Sequence, residues 1–430
     1  MKPYRIIVII LMTLSILSGC VKNRTNIQND TTSKPNTTSI TPITPTVAAI
    51  QKDNNLNWTW CIKPEQYSDL FFIDKDLVAA KQNNKKYVIL DTKGKIAIPG
   101  DYSEVSNFEE GILSVDRKGK SFFINKKGEN IFHKGYDDTL NFSEGLAGIS
   151  KDGQWGYIDK TGKVVIRNQF SDARDFNEHS APVQKNHKWG LIDESGKVIL
   201  DFYYEEMNDF HNGYYAVRKK GKWGFVDKYG KVVAKCQYAE VQDYSEGYAA
   251  VRKNGKWGFI NNKGKLCIDL KYNDVGNFSE GKAAVHMTKG KDDLGEWAYV
   301  DYKDNIVIDF YPYDAGNDAS PFLGEFKDGL AFVPKTLTSI IDEKGKDVFV
   351  GDSKFFINDS YYNKEYDAIP GYVYIDDAMK IKKYGLMGLK GDQRLEPVFD
   401  YVDGIHDEYV IVENLVNDDY KFGLIKLEKK

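Results

Sequence analysis

The sequence predicts an all-β fold: tandem antiparallel units of about 34 residues, each with three short strands. Three observations predict it. Trp155, Trp189, Trp223 and Trp257 are spaced 34 residues apart each time. Two more aromatic columns keep that period: Phe108, Phe142, Phe176, Phe210, Tyr244 and Phe278, and Tyr102, Tyr136, Phe170, Tyr204, Tyr238 and Tyr272. Two turn signals recur at fixed offsets from the Trp. A chain of 430 residues is too long for one ordinary core. An array escapes that limit, because each unit buries its faces only against its neighbours. The expected architecture is an open, twisted array over residues 56–430. A closed propeller is the alternative, since ten units with uneven spacings exceed the usual roughly 4–8 blades.

Taken in order, the chain begins with an address. Lys2 and Arg5 precede an apolar run, Ile6 to Leu17, interrupted by Thr13 and Ser15. Twelve residues are too few to span a bilayer and fit the apolar region of a signal peptide. The run ends in Leu17-Ser18-Gly19-Cys20, which resembles a bacterial lipobox. That resemblance implies that residues 1–19 are a lipoprotein signal peptide and that Cys20 is the lipid attachment site. It places the protein on the extracytoplasmic face of the cell membrane. Acyl chains, at roughly 0.8 kcal/mol per buried methylene, would hold it there. Residues 20–55 continue in Thr, Ser, Asn, Lys and Pro, a composition expected to form a disordered tether.

Within a unit the first strand is like Ala249-Ala250-Val251-Arg252-Lys253. Asn254-Gly255 follows, a two-residue hairpin turn because both residues tolerate positive φ. The second strand runs Lys256 to Ile260. Asn261-Asn262-Lys263-Gly264 then suits a type I turn closing a bulged hairpin, as do Asp159-Lys160-Thr161-Gly162 and Asp227-Lys228-Tyr229-Gly230. The third strand is Leu266-Cys267-Ile268. Alternation puts Trp223 and Phe225 on one face and Gly224 and Val226 on the other, so both faces are expected to be covered. A Gly beside each Trp admits close approach of another backbone.

The Trp column extends back to Ser121 and Tyr87 and forward to Trp297, Thr338, Tyr384 and Phe422. The array is expected to start in mid-unit, because Ile62-Lys63-Pro64 matches Leu395-Glu396-Pro397. Trp58 and Trp60 are read as a cap on the first unit. Intervals after Trp257 lengthen to 40, 41, 46 and 38 residues, with insertions in 286–296, 314–327 and 348–368. Insertions in repeats map to surface loops, often on a binding face.

The stretch Gly-Lys-Trp-Gly-(Phe/Tyr/Leu)-(Ile/Val)-(Asp/Asn) resembles the WG-repeat (KWG) family of bacterial β-repeat proteins. The match is full at Trp223-Gly224 and Trp257-Gly258, and holds in its core at Trp155-Gly156 and Trp189-Gly190. It departs at Trp297, where Ala298 replaces Gly, so that unit is expected to pack differently. The resemblance implies a fold and structural roles for these residues, but little chemistry.

The residues offer no catalytic constellation and no cofactor or metal is expected. His133, His179, His187, His211, His286 and His406 share no column, and no zincin, nucleophile-elbow or P-loop motif occurs. The Asp column (Asp91, Asp159, Asp193, Asp227, Asp301, Asp342) and the Glu column (Glu110, Glu144, Glu178, Glu246, Glu280) are read as turn residues. Cys61, Cys236 and Cys267 are read as small buried side chains. A net charge of −4 argues against nucleic acid. The expected role is a membrane-anchored, non-enzymatic binding or scaffold module with an unknown protein or polysaccharide partner. The alternatives are cell-wall or surface polysaccharide binding through exposed aromatics, and a cryptic enzyme in residues 297–400.

Overall fold

Residues 56–288, 295–312, 323–334, 338–350, 356–357, 362–375, 381–417 and 419–428 are described by a computed structural model of the chain. The signal segment, Cys20 and the tether to residue 55 lie outside them, as do parts of all three insertions. Among the described residues every regular element is a strand. They form nine small antiparallel sheets in tandem, one of which serves two units, and none closes on itself as a barrel.

The unit begins one strand earlier than its sequence pattern suggests. Around Trp257 the strands are Glu240–Val241, Tyr248–Lys253, Lys256–Asn261 and Leu266–Tyr272, hydrogen-bonded in chain order. The added strand is two residues long here and six in units such as Glu206–His211, where a register shift breaks the pairing between Met207 and Phe210. Six of the nine sheets have four strands, and two have three.

The turns follow their residues. Glu144 and Gly145 both have positive φ (54° and 80°) and join Ser143, which pairs with Leu146. Asn254 and Gly255 (52° and 79°) do the same between Lys253 and Lys256. Two residues of positive φ make a type I′ turn, whose twist matches that of the strands it joins. In the third turn, Asp159 Oδ1 accepts the N–H groups of Thr161 and Lys163, and Gly162 N–H donates to Asp159 O at 2.9 Å. Asp91, Asp193, Asp227, Asp301 and Asp342 repeat that pattern two and four residues on. The Asp column is therefore used by its own turns.

The Gly after each Trp is explained by a bulge. Trp155 pairs with Phe170 and Tyr157 with Ile166, so two residues of one strand face four of the next. The bulged backbone presses on the glycine. A Cβ at Gly156, Gly190, Gly224 or Gly258 would stand 2.4–2.5 Å from a carbonyl oxygen of that strand. At Trp297 the pairing is Trp297 with Tyr311 and Tyr299 with Ile308, so two residues face only three. The smaller bulge occurs in the unit where Ala298 replaces Gly.

The core lies between units. Trp257, Phe259, Ile268 and Tyr272 of one unit share a cluster with Val275, Phe278, Ala283, Val285, Ala298 and Val300 of the next. The Phe column supplies the link. Phe176 meets Tyr157 edge-on at 4.9 Å, Tyr244 meets Phe225 at 4.8 Å, and Phe278 meets Phe259 at 4.9 Å. In each case the second ring lies two residues after the previous unit's Trp.

The strand Asn57–Asp74 is 18 residues long and serves two units. Its first half pairs with Asp419–Glu428 and its second half with Leu77–Gln82. First and last units thus share one seven-stranded sheet. Trp58 and Trp60 contact each other and Phe399 edge-on. They complete the last unit's core rather than capping the first unit. The segment at Ile62 takes the outer-strand place: a Cβ on Gly423 would meet Ile62 O at 2.7 Å, as one on Gly385 would meet Leu395 O at 2.4 Å.

Candidate functional site

The side chains that recur at one surface are those of two turns. The Glu column does not simply shape its own turn. Its carboxylates accept N–H groups from the corresponding turn of the next unit. Glu110 takes Gly145 N–H at 3.1 Å, and Glu144 takes His179 N–H at 2.8 Å. Glu246 takes Glu280 N–H at 2.8 Å and Gly281 N–H at 3.0 Å, and Glu280 takes Gly329 N–H at 2.9 Å. The residue before the Glu adds a second tie. Ser143, Ser245 and Ser279 donate their hydroxyls to the carbonyls of Phe176, Phe278 and Phe326. Neighbouring units are thus clasped at this surface as well as packed through their cores.

The second residue of the Asp turn completes each rung. Lys160 reaches Glu110 at 3.1 Å, Lys228 reaches Glu178 at 2.8 Å, and Tyr302 Oη donates to Glu246 at 2.8 Å. Lys126 pairs with Asp74 in the same manner. Two rungs carry a glutamate where the others have lysine or tyrosine: Glu194 opposite Glu144 and Glu343 opposite Glu280. At the first of them His179 occupies the turn position that Gly holds in the neighbouring units. These rungs escaped sequence reading, although a fixed offset of 50 residues between Glu110 and Lys160, and between Glu178 and Lys228, would have exposed them.

Electrostatics at this surface follow local hydrogen bonding. The Thr161 hydroxyl and turn amides hold Asp159 below the usual carboxylate range. The Glu194 hydrogen bond, helped by the charge of Glu144, raises His179. Deeper in, burial pushes the Tyr215 phenol up to about 12. Its hydroxyl is 2.9 Å from Ser180 Oγ.

Two depressions open on the same side. One, of about 340 Å³, is bordered by Glu178, Tyr214, Lys228, Tyr229 and Asn262 from three successive units. The other, of about 390 Å³, lies where the first, second and last units meet, between Phe72, Asp74, Lys75, Asn107 and His406.

The Trp column lies elsewhere. Trp189, Trp257 and Trp297 are buried and Trp155 and Trp223 half-buried, while Gly156, Gly190, Gly224 and Gly258 are buried. Buried rings offer no platform for sugars. The aromatic rings that are exposed include Tyr203, Tyr229, Tyr302, Tyr401 and Tyr420. Cys61 and Cys236 are half-buried and Cys267 is exposed, so none is fully buried as expected from the sequence. Cys267 lies on the outer strand in the column of Val165, which is itself 40% exposed.

Removing the Glu246 carboxylate tests the clasp. Glu246→Ala is expected to lower stability by about 1 kcal/mol, since water can replace part of what exposed donors lose. Native-state hydrogen exchange should show faster exchange at Glu280 and Gly281 N–H, with the Glu144 clasp unaffected.

Among curated proteins none matches the sequence. Solved structures that match include a eukaryotic initiation factor at 12% identity, covering 78% of this chain and 89% of that one, TM-score 0.43. BamB from Moraxella catarrhalis matches at 12% identity over 70% of this chain and 97% of its own, TM-score 0.30. PorZ, a surface component of the type-IX secretion system of Porphyromonas gingivalis, matches at 8% identity, TM-score 0.28. That alignment takes in 81% of this chain and 56% of PorZ. A family match is more specific. Residues 89–120, 122–155, 155–189, 189–223, 223–257 and 257–288 each match the family described as WG containing repeat, so this part of the chain is similar to that family in six consecutive copies.

Proposed function

We propose that the chain is a lipid-anchored, extracytoplasmic lipoprotein whose repeats act as a non-enzymatic binding or scaffold module for a protein partner. The observation that carries the binding role is the turn surface. The same polar positions recur there from unit to unit, and both depressions are bordered by more than one unit. Such a surface suits an extended partner contacting several units at once. The anchoring rests on Leu17-Ser18-Gly19-Cys20 following a short apolar run. Cys20→Ala is expected to move the protein from the membrane to the soluble fraction. Fractionation in which the variant stays with the membrane would refute the anchor.

Cross-linking on cells, followed by identification of the linked residues, tests the binding role. Cross-links from lysines of these turns, such as Lys160, Lys228 and Lys263, to one protein are the expected result. Polysaccharide binding now rests on the exposed tyrosines rather than the tryptophans. Sedimentation with purified cell walls that free sugars reverse would favour it over a protein partner. A cryptic enzyme in residues 297–400 is the remaining reading, and 313–322, 335–337, 351–355, 358–361 and 376–380 of that region lie outside the described residues.

A further inference from the structure

We propose that Glu144, His179 and Glu194 form a site for one divalent transition ion of the zinc type. Among the described residues this is the one group of three His, Cys, Asp or Glu side chains whose ligand atoms converge, all within 4.8 Å of one another. His179 Nδ1 is 3.0 Å from Glu194 Oε1. Two ligands bound at about 2.0–2.2 Å with the tetrahedral angle zinc prefers stand roughly 3.4 Å apart, so these two exposed side chains open by a few tenths of an ångström to admit the ion. The ion takes the place of the proton shared by those two atoms. Glu144 uses Oε2 to hold the His179 N–H, which leaves Oε1 to face the ion.

Three other rungs show how the carboxylate is satisfied without an ion. Opposite Glu110 and Glu178 a lysine neutralises the carboxylate, and opposite Glu246 a tyrosine hydroxyl satisfies it. Here two carboxylates face each other across an imidazole. Lys228, the nearby cation, is held by Glu178 at 2.8 Å. The charge can be balanced by a proton on His179 or by a metal ion. The donor set decides which ion fits: an imidazole with two carboxylates suits zinc-like ions, whereas Ca²⁺ and Mg²⁺ prefer oxygen ligands alone. At the rung of Glu280 and Glu343, Gly329 stands where His179 stands here, so no imidazole is offered.

The variants that test the site are the residues of neighbouring rungs, so the fold should accept them. Glu194→Lys restores the lysine pairing. His179→Gly restores the turn glycine at a position whose φ is +68°. Zn²⁺ is titrated calorimetrically into the detergent-solubilised full chain at pH 7.5 and pH 5.5. The parent should show one tightest class of one ion per chain, weaker at pH 5.5, where protons compete for His179. Each variant should weaken that class by at least about 100-fold, more than the loss of an outer-shell partner costs. Circular dichroism should match the parent, and His179→Asn, also tolerated at positive φ, should weaken binding likewise. The assignment is overturned if the parent shows no such class, if the class survives in the variants, or if Mg²⁺ at tenfold excess displaces the zinc.

Discussion

Trp257→Ala is expected to cost about 3–5 kcal/mol, the loss for truncating a buried large aromatic side chain. Trp257 is 7% exposed and belongs to a cluster shared by two units. Removing it thins a cluster that holds Phe259, Ile268 and Tyr272 on its own side and Val275 and Phe278 across the junction. The void sits where two sheets must move together to fill it, so relaxation recovers little. Urea denaturation should show a lower midpoint, and hydrogen exchange should locate the loosening in Leu266–Tyr272 and Ala283–Met287. Tyr229→Ala serves as the control. That ring is 73% exposed, and its loss should be within about 0.5 kcal/mol of neutral. Equal losses at both positions would mean the tryptophan does not seal the junction.

Gly258→Ala is the second large effect, about 1–3 kcal/mol of destabilisation from overpacking. A methyl there would lie 2.5 Å from Ile268 O and 2.7 Å from Asp269 O. Both contacts are backbone, so no side chain can swing aside, and the bulge itself must shift. The chain carries its own comparison at Ala298, where the partner strand bulges by one residue fewer. Ala298→Gly should therefore cost the flexibility of glycine, about 0.5–1 kcal/mol, and roughly 0.8 kcal/mol for its buried methyl, with no relief of a backbone clash. Denaturant midpoints of the two variants decide the matter. If Gly258→Ala is as stable as the parent, the bulge is not what demands glycine.

These two positions show what a single sequence could reveal. The period, the rings and the turn residues were legible because each unit repeats the same local requirement. The bulge was half-legible: a glycine beside every tryptophan signalled close approach, but not by what. The match of Ile62-Lys63-Pro64 to Leu395-Glu396-Pro397 correctly placed the start of the array in mid-unit. That Trp58 and Trp60 finish the last unit was not legible, because pairing between distant ends leaves no local pattern. The clasp of Glu246 on Glu280 and Gly281 N–H was missed for a related reason. A glutamate before glycine looks like a turn former whether its carboxylate serves its own turn or the next one. At Glu144, His179 and Glu194 the repeat average concealed the site, since a column hides the residues that depart from it.

The strand shared by the two end units sets an order of events. Asn57 pairs with Glu428, so the first strand to leave the ribosome waits for the last. At about 5–20 residues per second, roughly 20–70 seconds separate their appearance. During that interval Trp58 and Trp60 have no Phe399 to pack against, and the edge meant for Asp419–Glu428 lies open. The nascent chain is therefore most vulnerable to wrong partners at its own beginning. Nicking or truncation near the C-terminus would return even a finished molecule to that unguarded state.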